Sequence, residues 1–316
     1  MKKSVVWMAL LAVLVATAAC KKEKPAETAA TATPLDTVTV LDAGQEPRLP
    51  LRYRIPEGAT TSSTSTFRVV TLAESSDAEA VSVLPGLRLN VVSGPAAITE
   101  QGVRFDVDVV KSAAVVPPDL DEAIAADLQA SARILDEVGA WVEMDDRGKR
   151  IAGELNEAAK RPDIPKRLLR MIINARTTVT RVQLPEEPVG LGARWQVRRE
   201  LDVFGFKVTQ VDTYQLVDRA GDELMLNLWV QQNGLPQTIS FPEEGIEIGV
   251  ESMKSEATGQ ITLNLDALES DAEAHGKSND KIRFKTPDGT DSVEIQEVFD
   301  LQVANTTKLM PNVPAK

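Results

Sequence analysis

The chain has 316 residues, of which 43% are hydrophobic, and a formal net charge of −12. This length can bury one large core or two smaller ones. So acidic a protein is poorly suited to nucleic-acid phosphates, which require clustered Lys and Arg side chains. The single cysteine excludes an intramolecular disulfide.

The first 20 residues are typical of an export signal. Lys2 and Lys3 precede an unbroken apolar run at residues 5–16, which is shorter than the roughly 20 residues needed to cross a bilayer. We therefore predict a signal peptide at residues 1–19. The segment Thr17–Cys20 resembles the lipobox of bacterial lipoproteins, although Thr17 stands where leucine is usual. Ala16-Thr17-Ala18 also fits ordinary secretory cleavage, and this alternative stays open.

The lipobox resemblance implies a lipid anchor at Cys20. A diacylglyceryl group would form a thioether with its thiol, and a fatty acid such as palmitate would acylate the amine that cleavage exposes. Each buried CH₂ contributes about 0.8 kcal/mol, so several chains anchor a protein permanently. We expect the protein in the cell envelope, attached to the inner or outer membrane, with its body in the periplasm or at the cell surface. Without Lys2 and Lys3, the net charge of −12 becomes −14, which disfavours contact with anionic headgroups.

The remaining chain divides by composition into four parts. Residues 20–46 form the lipidated cysteine and a flexible tether, because they lack apolar periodicity. Residues 47–183 are predicted to combine a β-meander with a helical segment, residues 184–310 to form a β-rich half, and residues 311–316 to be a tail.

Alternating apolar residues predict four strands in the first half, because a period of two marks a half-buried strand. Short connections between them predict an antiparallel meander. The predicted strands occupy residues 49–55, 64–72, 87–91 and 103–109.

Two helices and a hairpin follow. Helical spacing from Leu120 to Val138, with Asp119 as N-cap and Gly139 at the end, predicts a helix at residues 119–138. A glycine-containing turn predicts a hairpin at 141–151. Pro165 opens a second predicted helix at 165–182.

A stretch rich in proline and glycine, residues 184–195, separates the halves as a hinge without regular structure. The polar segment 270–280 is predicted to be a mobile loop, and the tail frays from Met310. Further strands are predicted at residues 195–201, 206–217, 224–230, 246–250, 258–265, 282–284 and 293–303. The fold class is therefore α+β: a large curved antiparallel sheet of two meander halves, with two helices inserted in the middle.

Two segments carry a resemblance to a family of bacterial lipoproteins of unknown function. The first is Leu-Pro-Glu-Glu-Pro-Val-Gly-Leu-Gly-Ala-Arg-Trp at 184–195, followed by Tyr214-x-Leu216 and Gly221-Asp222; the second is Leu-Arg-Tyr-Arg-Ile-Pro-Glu-Gly at 51–58. The likeness covers roughly residues 48–265. It implies an envelope lipoprotein and assigns no activity.

The residues that usually carry catalysis are scarce. His275 is the only histidine, so neither a zinc site nor a Ser-His-Asp triad is predicted. Asp106 and Asp108 share one face of a strand and could act as a carboxylate pair, but such a pair more often forms the wet face of a sheet. We predict no metal and no cofactor.

The large aromatic residues admit two interpretations. Trp195, Trp229, Phe204 and Phe206 could line an apolar groove for a ligand, or they could belong to the core; Trp195 is predicted to be buried in either case. The preferred interpretation is a non-enzymatic, membrane-anchored lipoprotein that holds an apolar ligand or acyl chain in a concave sheet. The alternatives are a scaffold that binds an envelope protein and, less favoured, a carboxylate-dependent glycan hydrolase.

Overall fold

The computed structural model describes residues 36–75, 78–83, 86–118, 120–164, 166–203, 206–241, 246–286 and 289–305. In these residues the chain forms one 15-stranded antiparallel sheet and two α-helices. The predicted α+β class, an open curved antiparallel sheet with two helices, is confirmed.

The helices are α1 (Glu122–Ala132) and α2 (Lys166–Thr180), and short 3₁₀ turns occur at Arg133–Leu135 and Ala158–Lys160. The strands are β1 (Thr37–Asp42), β2 (Thr61–Ser75), β3 (Ala78–Val83), β4 (Gly86–Ser93), β5 (Ala97–Ile98), β6 (Val103–Val115), β7 (Gly139–Met144), β8 (Arg150–Leu155), β9 (Arg194–Val203), β10 (Phe206–Ala220), β11 (Glu223–Gly234), β12 (Gln237–Phe241), β13 (Ile246–Asn264), β14 (Asp271–Thr286) and β15 (Gly289–Asn305).

The sheet consists of two meanders joined edge to edge. Its strand order is β1-β9-β10-β11-β13-β14-β15-β2-β4-β6-β7-β8, with β3, β5 and β12 attached beside this path. Strand β15 pairs with β2 from Ser63 to Ser75. These two strands come from opposite ends of the chain. Both predicted halves of the chain therefore belong to a single sheet.

The sheet curves around α2. This helix contacts β9, β13, β14 and β15, although β9 and β15 lie five strand spacings apart, or about 24 Å across a flat sheet. A helix of 15 residues is about 22 Å long, so α2 lies across these strands of the curved sheet. We call the face that α2 covers the inner face.

Small side chains let α2 lie close to the sheet. Ala272, Ala274 and Gly276 occupy alternate positions of β14, which is among the strands that α2 contacts. From the helix, Val179 joins the main hydrophobic core, and Ile172 packs against Leu89 of β4. Burying an aliphatic side chain of this size contributes roughly 1.5–3 kcal/mol, so packing and not intrinsic propensity holds the helix in place.

Two irregular segments close one end of the curved sheet, which we call the proximal end. Leu49 and Val189 exchange backbone hydrogen bonds of 3.0 and 3.1 Å. The Leu184 amide donates to the Arg147 carbonyl at 2.8 Å, in the β7–β8 turn. The two stretches that carry the family resemblance, 51–58 and 184–195, thus belong to neighbouring parts of this closure, and the prediction that 184–195 is largely irregular is confirmed.

The predicted strand at 49–55 is wrong, although three of its four alternating apolar residues are buried. Leu51, Tyr53 and Ile55 are at most 7% exposed. The backbone does not join a ladder, because the amides of Tyr53 and Arg54 donate to turn carbonyls, at 2.7 Å to Asp146 and at 2.8 Å to Leu265. The alternation of apolar residues in this segment therefore indicates burial and does not indicate strand pairing.

Two predicted flexible segments are strands instead. Within the predicted tether, 37–42 forms β1 and pairs with β9, because Val38 and Val40 pack against the core. The predicted mobile loop 270–280 lies largely in β14, which pairs with β13 and β15 along nearly its whole length. Its inner positions hold small residues because α2 and Phe299 lie over them. The segment therefore lacks the large alternating apolar residues that would predict a strand.

The first helix is shorter than the predicted 119–138. Asp121 caps it by accepting from the amides of Ala123 and Ile124; the predicted cap, Asp119, lies outside the described residues. Helix α1 has no buried residue, so no packing extends it. The chain turns at Glu137, whose φ is +69°, and enters β7. The second predicted helix and the 141–151 hairpin are confirmed as α2 and as β7–β8.

Candidate functional site

The C-terminal end of α2 is held by aromatic side chains of the sheet. Tyr214 donates from its hydroxyl to the Thr178 carbonyl at 3.2 Å, and Trp195 Nε1 donates to the Gln183 carbonyl at 3.0 Å. The Trp195 and Tyr214 rings stack with centroids 5.6 Å apart. These bonds satisfy buried carbonyls at and just beyond the helix end, which would otherwise lack donors.

A buried ion pair fixes the middle of α2. Glu269, which is 1% exposed, accepts hydrogen bonds from Arg176 at 2.7 and 2.8 Å and from Ser63 and Ser93 at 2.6 Å each. Burial alone would raise the pKa of Glu269, but Arg176, Arg181 and the two serines outweigh it and hold that pKa below its usual value. Both oxygens of this carboxylate accept hydrogen bonds from protein side chains, so we assign the cluster a role in stabilising the fold.

A second buried network runs from α2 towards the opposite, distal end of the sheet. Gln210 donates to Asp212 at 2.7 Å and to the Thr178 hydroxyl at 3.0 Å. Arg199 forms an ion pair with Asp212 at 3.4 Å. Burial raises the pKa of Asp212 to about 6, against the opposing charge of Arg199. Asp212 Oδ2 has no hydrogen-bond partner among the described residues, so this network is only partly satisfied.

Beyond α2 a row of polar side chains crosses the inner face of six adjacent strands. Each member stands directly opposite the next in the strand register. The row consists of Gln210, Gln232, Ser255, Ser278, Glu297 and Thr71. Gln232 donates to Gln210 at 2.6 Å, and Thr71 donates to Glu297 at 3.3 Å. The row separates the α2-covered core from the distal part of the sheet.

Apolar side chains occupy the inner face distal to this row. All the described members of a hydrophobic cluster there are strand residues. Its residues are Phe206, Val208, Ile248, Val250 and Met253, with Ile239, Ile282 and Phe284 partly buried against them. The half-buried Ile295 stands beside Asp280 in the same region. We call this surface, together with the polar row, the distal inner face.

Two carboxyl groups lie on the distal inner face. Burial, reinforced by the charge of Glu297, raises the pKa of Asp280 to about 6. Burial likewise raises the pKa of Glu297, although Thr71 donates to it. The Ser278 hydroxyl donates to Asp280 Oδ2 at 3.4 Å, whereas Asp280 Oδ1 is buried without a partner among the described residues. The ionisable groups of this face are therefore hydrogen-bond acceptors.

The structure describes three of the four aromatic residues named as a possible groove lining, and these three lie apart. Trp195 is fully buried near the proximal end, as predicted, and belongs to the core. Phe206 lies in the distal cluster. Trp229 lies on the outer face, 37% exposed beside a buried Leu228, and Phe204 lies outside the described residues. The three described residues therefore do not line one groove.

The other candidate residues are also dispersed. His275 is not in a loop: it lies on β14 and faces outward, with Nδ1 2.7 Å from Asp300 Oδ1. Asp106 and Asp108 share one face of β6, and burial together with the charge of Asp106 raises the pKa of Asp108. Cys20 lies outside the described residues.

Sequence reasoning missed Asp280 and Glu297. Asp280 lies in the segment predicted to be a mobile loop, and no local pattern distinguishes Glu297 from other acidic residues of its strand. Alternation in 293–303 does put Glu297 on the same face as Val293 and Ile295. That signal was present, but the pairing that places Glu297 near Asp280 depends on strand register.

Two classes of feature are absent from the described part of the chain. No group of three or more His, Cys, Asp or Glu side chains there could hold a metal ion. None of its helices is long and apolar enough to cross a membrane.

Comparison with known proteins gives no family. No family model matches the chain, and no curated protein matches it. Solved structures similar to it include OpdL, OpdQ and OccK8 (OprE) of Pseudomonas aeruginosa, with identities of 9%, 11% and 6% and TM-scores of 0.23, 0.21 and 0.19. The matches cover 78% of this chain and 98–99% of theirs. Scores this low support no inference about fold or function.

Proposed function

We propose that this chain is a lipid-anchored, non-enzymatic envelope lipoprotein that holds an apolar ligand, such as an acyl chain, against the distal inner face. The observation that carries the proposal is the apolar surface of that face. It continues beyond α2 and includes half-buried side chains such as Ile282, Phe284 and Ile295. Binding sites for small ligands are typically concave and apolar, with a few oriented polar groups.

The polar groups of the same face favour a particular kind of ligand head. Its ionisable members, Asp280 and Glu297, are acceptors, and the described distal inner side chains include no Lys or Arg. A phosphate head would meet carboxylates without a compensating cation. The ligand therefore carries hydroxyl or amine donors near the polar row and places its hydrocarbon part in the distal cluster.

Co-purification tests this proposal directly. Residues 21–316 are exported behind a cleavable signal, purified without detergent and extracted with organic solvent for mass spectrometry. We expect close to one apolar molecule per protein. A blank extract would overturn the ligand proposal and favour an envelope protein as partner, whereas release of sugars from added glycans would favour the hydrolase.

Two variants of β15 provide a matched pair. Ile295→Asp puts a charge on the inner face, and Val298→Asp puts the same charge on the outer face, where Val298 is 52% exposed. We expect the first variant to lose the molecule and the second to keep it. Equal loss in both, or retention by Ile295→Asp with an intact circular dichroism spectrum, would contradict the proposed surface.

The anchor is tested separately. Cys20→Ser in the complete chain should abolish incorporation of labelled palmitate and release the body from the washed membrane fraction. Labelling or membrane retention equal to that of the wild type would contradict lipidation at this residue.

A further inference from the structure

The outer face of the sheet contains a surface pocket of about 280 Å³, behind the main hydrophobic core at Leu228 and Ala274. Side chains of three adjacent strands line it: Asn227 and Trp229 of β11, Thr258 and Gln260 of β13, and Glu273 and His275 of β14. These residues lie in two parallel rows. Trp229, Thr258 and His275 face one another across the strands, and so do Asn227, Gln260 and Glu273.

The dimensions of this pocket suit a sugar ring. Strands lie about 4.8 Å apart and alternate outward residues about 6.8 Å apart, so the two rows span roughly 10 by 7 Å. One hexopyranose ring fits over such an area, with neighbouring rings of a chain continuing beyond its rim.

Trp229 has no apolar partner directly across from it on the outer face. The residues opposite it are Thr213 and Thr258, and the ring is 37% exposed. An exposed ring among hydrogen-bonding side chains offers a platform for the C–H face of a sugar, while the surrounding groups can meet its hydroxyls.

The hydrogen-bonding groups of the pocket are oriented. Gln260 Nε2 lies 3.4 Å from Asn227 Oδ1, which leaves the remaining amide donors and acceptors directed to solvent. Asp300 accepts from His275 Nδ1 at 2.7 Å, so His275 Nε2 is available to a ligand. The described residues that line the pocket include no Lys or Arg, and Glu273 makes it unfavourable for anions.

We propose that this outer pocket binds a neutral hexopyranose glycan, with a sugar ring stacked on Trp229 and its hydroxyls bonded by Gln260 and Glu273. The site lies on the face opposite the proposed apolar ligand and does not depend on it. In an envelope protein it would place the body against a polysaccharide while the inner face remained free.

Titration of the full-length protein with cellohexaose, maltohexaose and chitohexaose tests the proposal. The protein is kept in a zwitterionic detergent, because glycoside detergents would compete for the pocket. Calorimetry should detect binding of at least one neutral hexasaccharide, accompanied by a change in Trp229 fluorescence. A hexamer of galacturonic acid should bind at least tenfold more weakly.

Three variants test whether the glycan binds in this pocket. Trp229→Ala should weaken it at least tenfold, and Gln260→Ala about fivefold. Trp141→Phe is the control, since Trp141 lies on β7 beneath Arg104, 4.1 Å from the ring centroid, and should leave binding unchanged. Absence of binding by all three neutral hexasaccharides at millimolar concentration would overturn the proposal. So would unchanged affinity in both Trp229→Ala and Gln260→Ala.

Discussion

Replacing Glu269 with Gln should destabilise the protein more than any conservative change on its surface. The substitution keeps the size of the side chain but removes the carboxylate that accepts from Arg176, Ser63 and Ser93. One amide oxygen cannot replace two carboxylate oxygens, and the new NH₂ group adds donors where donors already converge. Removing one partner of a buried ion pair costs about 3–5 kcal/mol, because the other charge stays buried.

Urea unfolding, followed by far-UV circular dichroism at pH 7.5, measures this loss. Against a total stability of about 5–15 kcal/mol for a typical protein, the midpoint should fall substantially at an unchanged slope. Glu256→Gln is the control, because that carboxylate forms an exposed pair with Lys277 and its loss should hardly move the midpoint. A Glu269→Gln midpoint equal to that of the control would refute the assignment of Glu269 as the structural anchor of α2.

The pH dependence of the same variant has a defined sign. The folded-state pKa of Glu269 lies below the ordinary value of 4.5, so its stabilisation is present above about pH 4.5 and is lost as the pH falls through the lower folded pKa. The difference between wild type and Glu269→Gln should therefore shrink in acid. A difference that stays constant from pH 7 to pH 3 would contradict the charged state assigned to this group.

Three further changes test other parts of the fold. Asp280→Asn should stabilise the protein by about 1 kcal/mol at pH 7.5 and by much less at pH 4, because the penalty on the charged form grows as the pH rises from the unfolded pKa of 3.8 to the folded pKa of about 6 and is constant above it; urea midpoints at both pH values measure this. Trp195→Phe should cost about 2–3 kcal/mol and weaken the near-UV circular dichroism, since it leaves the Gln183 carbonyl without its donor. Gly276→Val should lower the thermal midpoint, at a cost of about 1–3 kcal/mol, because an added Cβ overlaps the Phe299 ring. Unchanged midpoints in the last two variants would contradict the packing described for those residues.

The sequence predicted strands well where alternation was strong. Val103 and Phe105 of β6, and Leu224, Leu226 and Leu228 of β11, are buried on alternate positions. The pattern failed in β14, where the inner positions hold Ala, Gly and Ser because the helix or a neighbouring ring fills the space above them. Small residues at inner positions are a consequence of tertiary packing. No local sequence rule distinguishes a strand that contains them from a polar loop.

The candidate sites were predictable to different extents. Alternation in β11 alone places Trp229 on the face opposite Leu228, so its outward position could have been deduced from the sequence. The polar row could not, because Gln210 and Thr71 are separated by more than a hundred residues and five strand spacings. Their alignment depends on the pairing of β15 with β2, which joins the two ends of the chain.

The inner face contains two kinds of buried carboxyl group, and their difference separates scaffold from site. Glu269 has every oxygen bonded and a lowered pKa, so its charge stabilises the folded state. Asp280 has an oxygen without a partner and a raised pKa, so its charge opposes folding near neutral pH. Proteins commonly tolerate a destabilising side chain where ligand binding requires that side chain. A ligand that donates a hydrogen bond to Asp280 would remove this penalty. It should therefore raise the unfolding midpoint of the wild type more than that of Asp280→Asn.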